Sequence, residues 1–357
     1  METRVLAVDA SQPEPALVEQ AARAIQQGQL VAFPTETVYG LGANALDAAA
    51  VAGIFAAKGR PATDPLIVHI AHIGQLSTCA SHVPPAARKL GLAFWAGPLT
   101  IILPKKPQIP DSVTAGLPSV ALRVPSHRVA RALMEMAGVP VAAPSANRFS
   151  RPSPTTAAHV LADLDGRIDL VLDAGPTQIG LESTIVDFTV DPPVMRRPGG
   201  LTLEQIQSVV PEVVAVSRQG SADVAQVSPG QLTRHYAPRA ELTLYTGAVD
   251  RVVAAVAAKA RTLAAGGARV GILAPEDDVL GLAPELAALA SSGRIEVRPY
   301  GSRTDHARAA RELYAALRAL DETGVSHILA TEIGDAGLGP AVTDRLTRAA
   351  DGRVRRV

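Results

Sequence analysis

The stretches VAFPTETVYGLGANA (residues 31–45) and KGRPATDPLIVHI (residues 58–70) decide how this chain is read. Val31-Ala32-Phe33 has the β-branched and aromatic character of a short buried strand. Pro34 ends it, because the ring fixes φ and withholds a backbone N–H. Thr35, Glu36, Thr37, Tyr39, Gly40 and Gly42 follow as a loop dense in hydroxyls and glycines. A loop at a strand's carboxyl end is where open α/β sheets place ligands. Lys58 and Arg60 then leave the end of the next helix with no carboxylate beside them in sequence. Hydroxyls, glycines and two cations together suit a bound anion better than a plain surface turn.

Working outward, short β-branched runs alternate with Ala-rich amphipathic stretches. Strands are expected at Arg4–Val8, Leu30–Phe33, Leu66–Ile70, Leu99–Leu103, Val120–Val124, Pro140–Ala143, Leu170–Leu172 and Thr184–Phe188. Helices are expected at Pro15–Gln27, Ala48–Ala57, Pro84–Trp95, Arg128–Ala137, Thr155–Leu164 and Leu203–Val210. Strands such as Leu99–Leu103 and Val120–Val124 follow one another without a helix, so the pattern is an α/β (α+β) fold with a mixed, twisted sheet. Residues 211–240 are rich in Ser, Gln, Gly and Pro and read as a linker between a domain at 1–210 and another at 241–357. In the second domain, strands at Leu242–Tyr245, Arg269–Leu273, Ile295–Arg298 and His327–Ala330 alternate with helices at Val252–Leu263, Leu282–Leu289 and Arg303–Asp321, a βαβ pattern.

Composition narrows the function. With 357 residues, two domains are the expectation. Lys plus Arg and Asp plus Glu balance at 34 each, so no global polycation draws the chain to nucleic acid or membrane. One cysteine, Cys79, precludes an internal disulfide framework and fits a reducing compartment. METRVLAVDA at the amino terminus lacks the apolar core of a secretory signal, and no apolar run reaches membrane-span length, so the expectation is a cytoplasmic protein. Phosphate-loop, dinucleotide-turn, HExxH, CxxC and GxSxG patterns are missing from the settings that would give them meaning. What remains is a set of small polar turns after the expected strands. They are PTET, KGR, VH at 68–69, VTAG at 113–116, LRVPSH at 122–127, APSAN at 143–147, RPSPT at 151–155, EST at 182–184 and RRPG at 196–199.

Each turn has a plain structural reading. Ser145 and Asn147 suit a helix cap or Asx turn, His69 suits a satisfied core histidine, and Lys58 and Arg60 suit a solvated helix end. Arg123 within VALRVP is harder to dismiss, because a guanidinium in a central strand must be paired or face a cleft.

Taken in order, PTETVYGLG, KGRP, PLIVH, PLTIILP, VTAGL, ALRVP, APSAN, RPSPT, ESTIVD and RPG resemble the YrdC-type L-threonylcarbamoyladenylate synthases. The family's KxR…SxN signature stands here as Lys58-x-Arg60 and Ser145-x-Asn147, and SPGQLTRHYAP with a carboxyl-terminal domain marks the long, two-domain form. The resemblance implies a twisted mixed sheet around a concave, positively lined cavity, followed by a Rossmann-like domain. It implies a nucleotidyltransferase that joins L-threonine, bicarbonate or CO2, and ATP (with Mg2+) into threonylcarbamoyl-AMP and pyrophosphate. A separate tRNA threonylcarbamoyl transferase complex would then use the product. It also implies roles. Lys58 and Arg60 would be catalytic and, with Thr114, Ser145, Asn147, Ser153, Arg197 and Tyr236, would hold ATP. Thr35, His69, Arg123 and Ser183 or Thr184 would hold threonine, with no protein-held metal site. By the same resemblance, residues 228–238 would cover the site as a lid. The chain departs from the family at GLGPAVTDRL, where Asp344 replaces an Asn before Arg345, and at Thr233-Arg234, where a basic pair is usual. Two rival functions remain. One is a carbamoyl-transfer module of hydrogenase maturation, whose companion acylphosphatase-like and zinc-finger segments are missing here. The other is an RNA-binding or ribosome-maturation protein, which the low aromatic content of 3% disfavours and which leaves at most a weak RNA contact.

Overall fold

In the computed structural model, residues 2–215, 228 and 235–357 are described. They fall into two compact units, the first within Met1–Phe149, Ser153–Gln178 and Glu182–Leu232, the second within Ser150–Pro152, Ile179–Leu181 and Thr233–Val357.

The first unit is built on strands β1 (Arg4–Ala7), β2 (Val31–Phe33), β3 (Gly40–Asn44), β4 (Ile67–His69), β5 (Leu99–Pro104), β6 (Ser119–Arg123), β7 (Val141–Ala142), β8 (Leu170–Asp173), β9 (Thr184–Asp187), β10 (Val194–Arg197) and β11 (Val214–Ala215). They form one sheet in the order β1-β8-β2-β3-β7-β4-β6-β5-β9-β10-β11. Parallel pairs such as β4–β6 and β5–β9 are interleaved with antiparallel pairs such as β2–β3 and β5–β6, so the sheet is mixed as the helix-free connections require.

Both faces of this sheet are covered. Alternation along β2 sends Val31 and Phe33 to one core and Ala32 to the other. On the first face pack α1 (Pro15–Gln26) and α6 (Arg128–Ala137) through Val18, Ile25, Val129 and Leu133. On the second pack α2 (Ala48–Lys58), α4 (Pro85–Phe94), α7 (Ala157–Leu164) and α8 (Leu203–Val209), through Ile54, Leu90, Val160 and Ile206. Two single-turn helices, α3 (Leu76–Cys79) and α5 (Asp111–Thr114), lie in the connections.

The glycine-rich part of the opening stretch is not a loop. Gly40–Asn44 is β3, antiparallel to β2 with Val31 opposite Gly42 and Phe33 opposite Gly40. Its glycines serve packing: a Cβ on Gly42 would stand 2.8 Å from the Phe33 ring and 2.9 Å from Val141. The residue-type signal was misleading because glycine in a strand reports close approach as readily as a turn. The 211–240 segment likewise contains a strand, β11, that its composition concealed.

The second unit carries β12 (Glu241–Thr246), β13 (Val270–Ala274), β14 (Ile295–Pro299), β15 (His327–Thr331) and β16 (Val354–Arg356), all parallel, in the order β14-β13-β15-β12-β16. Helices α9 (Val249–Ala265), α10 (Glu276–Ser291), α11 (His306–Glu322) and α12 (Gly339–Ala349) connect them. The βαβ expectation holds, and α12 and β16 are additions to it. Among the described residues no helix is long and apolar enough to cross a membrane.

Replacing Gly42 by Ala should cost about 1–3 kcal/mol of stability, because the added methyl overpacks a filled core. Denaturant unfolding of the variant beside the parent checks this, and an unchanged midpoint would contradict the packing role.

Candidate active site

Two helices and a row of strands deliver the polar residues to one region of the first unit. α2 starts at Asp47, whose side chain accepts from Ala49 N at 2.8 Å and Ala50 N at 3.2 Å. It stops at Gly59, which takes a left-handed φ of 66° that costs a glycine little. Lys58 is therefore the last helical residue, and it is only 3% exposed. Its Nζ donates to the carbonyls of Ser145 (2.6 Å) and Asn147. In return Phe149 N donates to Lys58 O at 2.8 Å. The Lys58-x-Arg60 and Ser145-x-Asn147 halves of the sequence pattern are thus joined through one ammonium group. Ser145 is also tied to β3 by a bridge to Gly40.

Arg60 is buried, and its guanidinium donates to Asp64 O at 3.0 Å and Pro65 O at 2.8 Å. It also forms an ion pair with Asp64 at 3.0 Å. The expectation that these cations lack a carboxylate neighbour is corrected here: Asp64 is four residues on, the spacing that brings side chains together across one turn. Thr114, at the end of α5, stands beside this segment, since Leu66 N donates to the preceding carbonyl of Val113 at 2.8 Å. Its hydroxyl is buried and has no hydrogen-bond partner among the described residues.

A second group runs across the sheet. His69 on β4 lies opposite Arg123 on β6, and Arg123 lies opposite Thr100 on β5. Thr100 Oγ1 and Ser183 Oγ are 2.7 Å apart. Arg197, at the end of β10, donates to Ser183 O at 2.9 Å and to Ser183 Oγ at 3.2 Å. Arg123 meets Glu36 of the β2–β3 loop at 2.7 Å. The edge of the Phe33 ring faces His69, with centroids 6.2 Å apart. Strand register thus aligns His69, Arg123 and Thr100, and hydrogen bonds extend the line to Ser183 and Arg197.

Electrostatics set the state of His69. Burial first, and the Arg123 charge second, push its pKa down to about 3. It is a neutral imidazole at physiological pH, and Nδ1 lacks a hydrogen-bond partner of good geometry among the described residues. It can donate or accept a hydrogen bond but cannot supply a cation.

Other expected residues are engaged locally. Thr35 Oγ1 accepts from Thr37 N and Val38 N, both at 3.2 Å, and donates to Val38 O at 2.6 Å, so it organises its own loop. Thr184 Oγ1 exchanges hydrogen bonds with Leu201 O (2.6 Å) and Leu201 N (2.9 Å). Of the Ser183–Thr184 pair, Ser183 is the one that joins the Arg197 group. Ser153 Oγ donates to Glu182 Oε1 at 2.6 Å, tying two of the turns together. Tyr236 belongs to the second unit, at φ 61°. Its ring lies 5.6 Å from that of Tyr314 and 5.2 Å from the Arg345 guanidinium. Of the 228–238 segment, residues 229–234 lie outside the described residues.

Comparisons with known proteins now bear on these groups. A family model described as telomere recombination matches residues 23–199, and the threonylcarbamoyl-AMP synthase C-terminal domain matches residues 201–351. The threonylcarbamoyl-AMP synthase of Pyrococcus abyssi is 44% identical over 338 residues, covering 94% of this chain and 95% of that protein. That of Bacillus subtilis is 44% identical over 340 residues, with 95% and 94% covered. The chain belongs to the threonylcarbamoyl-AMP synthase family. The crystal structure of P. abyssi Sua5 complexed with L-threonine has a TM-score of 0.90 at 42% identity, covering 99% of this chain and 100% of that one. These likenesses favour a synthase over an RNA-binding protein.

Sequence reasoning assigned no role to three residues of this site. Glu36 was visible as the one acid in PTET, Asp64 as the acid four residues after Arg60, and Thr100 as the polar residue of LTIIL. Glu36 and Thr100 could not be paired with their partners without knowing which elements are neighbours, whereas Asp64 lay within local reach of Arg60.

The depressed pKa of His69 has a signed consequence. The unfolded chain, with an ordinary histidine, binds a proton that the folded one refuses between about pH 6.5 and 3. This group's contribution to stability is complete above pH 6.5 and is lost as pH falls toward 3. Unfolding free energies measured across that range should decline less steeply in His69→Asn than in the parent.

Proposed function

We propose that this chain forms threonylcarbamoyl-AMP and pyrophosphate from L-threonine, bicarbonate or CO2, and ATP. The observation that carries the reading is the joining of Lys58 to Ser145 and Asn147, which makes a single cationic clamp of two segments far apart in sequence.

The chemistry divides in two. The amino nitrogen of threonine attacks the carbon of CO2 and loses a proton to give the carbamate; from bicarbonate, that proton leaves with the displaced hydroxide as water. One carbamate oxygen then attacks the α-phosphorus of ATP, the bond from that phosphorus to the β-bridging oxygen breaks, and pyrophosphate leaves. The carbamate oxygen is already anionic, so the second step asks for alignment and charge stabilisation, with no base at the nucleophile. Lys58, Arg60 and Arg197 neutralise the triphosphate, the arginines presenting flat two-pronged donors and Lys58 a point charge. Hydroxyl and amide groups of Thr114, Ser145, Asn147 and Ser153 complete the phosphate and ribose contacts. Arg123 takes the threonine carboxylate, with neutral His69, Thr35 and Ser183 serving its polar groups. The carboxylates of Glu36 and Asp64 are each paired with an arginine. Magnesium accordingly enters as the ion of MgATP, a substrate, held by phosphate oxygens and water. The product passes to a separate tRNA threonylcarbamoyl transferase, and the whole sequence operates in the cytoplasm.

Pyrophosphate release measured with each substrate omitted in turn tests the proposal. Release should require threonine, bicarbonate and ATP together, and release independent of threonine would overturn it. Lys58→Ala should lower the rate by roughly a hundredfold, the scale for removing one preorganised charge from a developing anion.

A further inference from the structure

One buried carboxylate in the first unit is engaged at both oxygens. Glu36 Oε1 accepts from Arg123 Nη2 at 2.7 Å, and Oε2 accepts from the backbone N–H of Ser126 at 3.0 Å. Glu36 is 2% exposed and Arg123 4%. Glu36 comes from the β2–β3 loop, whereas Arg123 ends β6 and Ser126 lies three residues further on. The carboxylate therefore fixes the arginine and the backbone that follows it from across the site. Among the described residues the other hydrogen bond of the Arg123 side chain is weaker, from Nε to Gly97 O at 3.4 Å.

A buried ion pair is poor evidence for stability, because desolvating two charges offsets most of their attraction. What such a pair does supply is direction. Arginine has five N–H donors in a rigid fork. Glu36 and Gly97 use one each, which leaves donors on both terminal nitrogens for a second carboxylate. We infer that Glu36 is a positioning residue for the amino-acid substrate: it aims the Arg123 fork at the threonine carboxylate. The inference rests on the reading that Arg123 receives that carboxylate. An opposing effect exists, since Glu36 also competes with the substrate for the same cation. The two effects have opposite signs in experiment. Loss of aim weakens threonine binding, and loss of competition strengthens it.

Kinetics of the full chain with Glu36→Ala, Glu36→Gln, Arg123→Ala and the Glu36→Ala/Arg123→Ala double variant separate them. Glu36→Ala should raise the threonine KM at least tenfold while the ATP KM stays within twofold. Glu36→Gln keeps one of the two hydrogen bonds, because an amide cannot accept at both ends, and should fall between the parent and Glu36→Ala. In the Arg123→Ala background, removing Glu36 should have no further effect on the threonine KM, since nothing is left to aim. A lowered threonine KM in Glu36→Ala, additive effects in the double variant, or equal rises for threonine and ATP would each overturn the positioning role. Calorimetric binding of threonine to the same variants gives an activity-free readout. If the parent chain itself shows no threonine-dependent turnover and no threonine binding, the proposed function fails instead.

Discussion

Among the described residues of the first unit, four lysine or arginine side chains sit at or below 8% exposure: Lys58, Arg60, Arg123 and Arg197. A charge withdrawn from water must be met by dipoles or opposite charges, or the fold pays several kcal/mol for each. This requirement organises the polar loops. Lys58 gathers the Ser145 and Asn147 carbonyls, Arg60 gathers the 64–65 backbone, and Arg197 gathers Ser183. Arg123 gathers Glu36. The segments at 145–147, Glu36 and Ser183 are thus each met by a cation from a different element. The hydrophobic cores on either face hold the strands, but the arrangement of the turns at their ends follows from satisfying these charges.

The same requirement explains what the sequence could and could not disclose. Strands such as Leu99–Pro104 and Ser119–Arg123 were legible because runs of β-branched and aliphatic residues between prolines and glycines allow few other structures. Helices α1 and α6 were legible from their apolar faces. β3 was hidden, since Gly40 and Gly42 carry turn chemistry in isolation and reveal their packing role only when Phe33 and Val141 lie against them. The site was legible as a list of residue types and opaque as a set of pairs. Lys58 meets Ser145 at a separation of 87 positions in sequence, and Thr100 meets Ser183 at one of 83. Those meetings are consequences of strand order, which local pattern does not encode.

Preorganisation follows from the cation network and bears on the reaction. Thr35 and Ser183 are hydroxyls already held, the first by its own loop and the second by Arg197. Under the proposed function, a substrate engaging these hydroxyls would meet groups whose orientation is set beforehand, leaving little reorganisation for the attack on the α-phosphorus. His69 fits the same pattern. Its burial, with the Arg123 charge second, keeps it neutral, so of the two side chains paired across β4 and β6 only the arginine carries a charge.

In the second unit Asp344, where the family resemblance implies an asparagine, places a charge on α12. That charge meets Arg345 at 2.6 Å and Arg348, one turn later, at 3.0 Å. Arg345 in turn lies over the Tyr236 ring, which packs on Tyr314. An asparagine would offer one acceptor to the two arginines, whereas the aspartate offers two oxygens and a full charge. The aspartate thereby helps hold the fully buried Arg345 side chain, whose guanidinium lies over the Tyr236 ring.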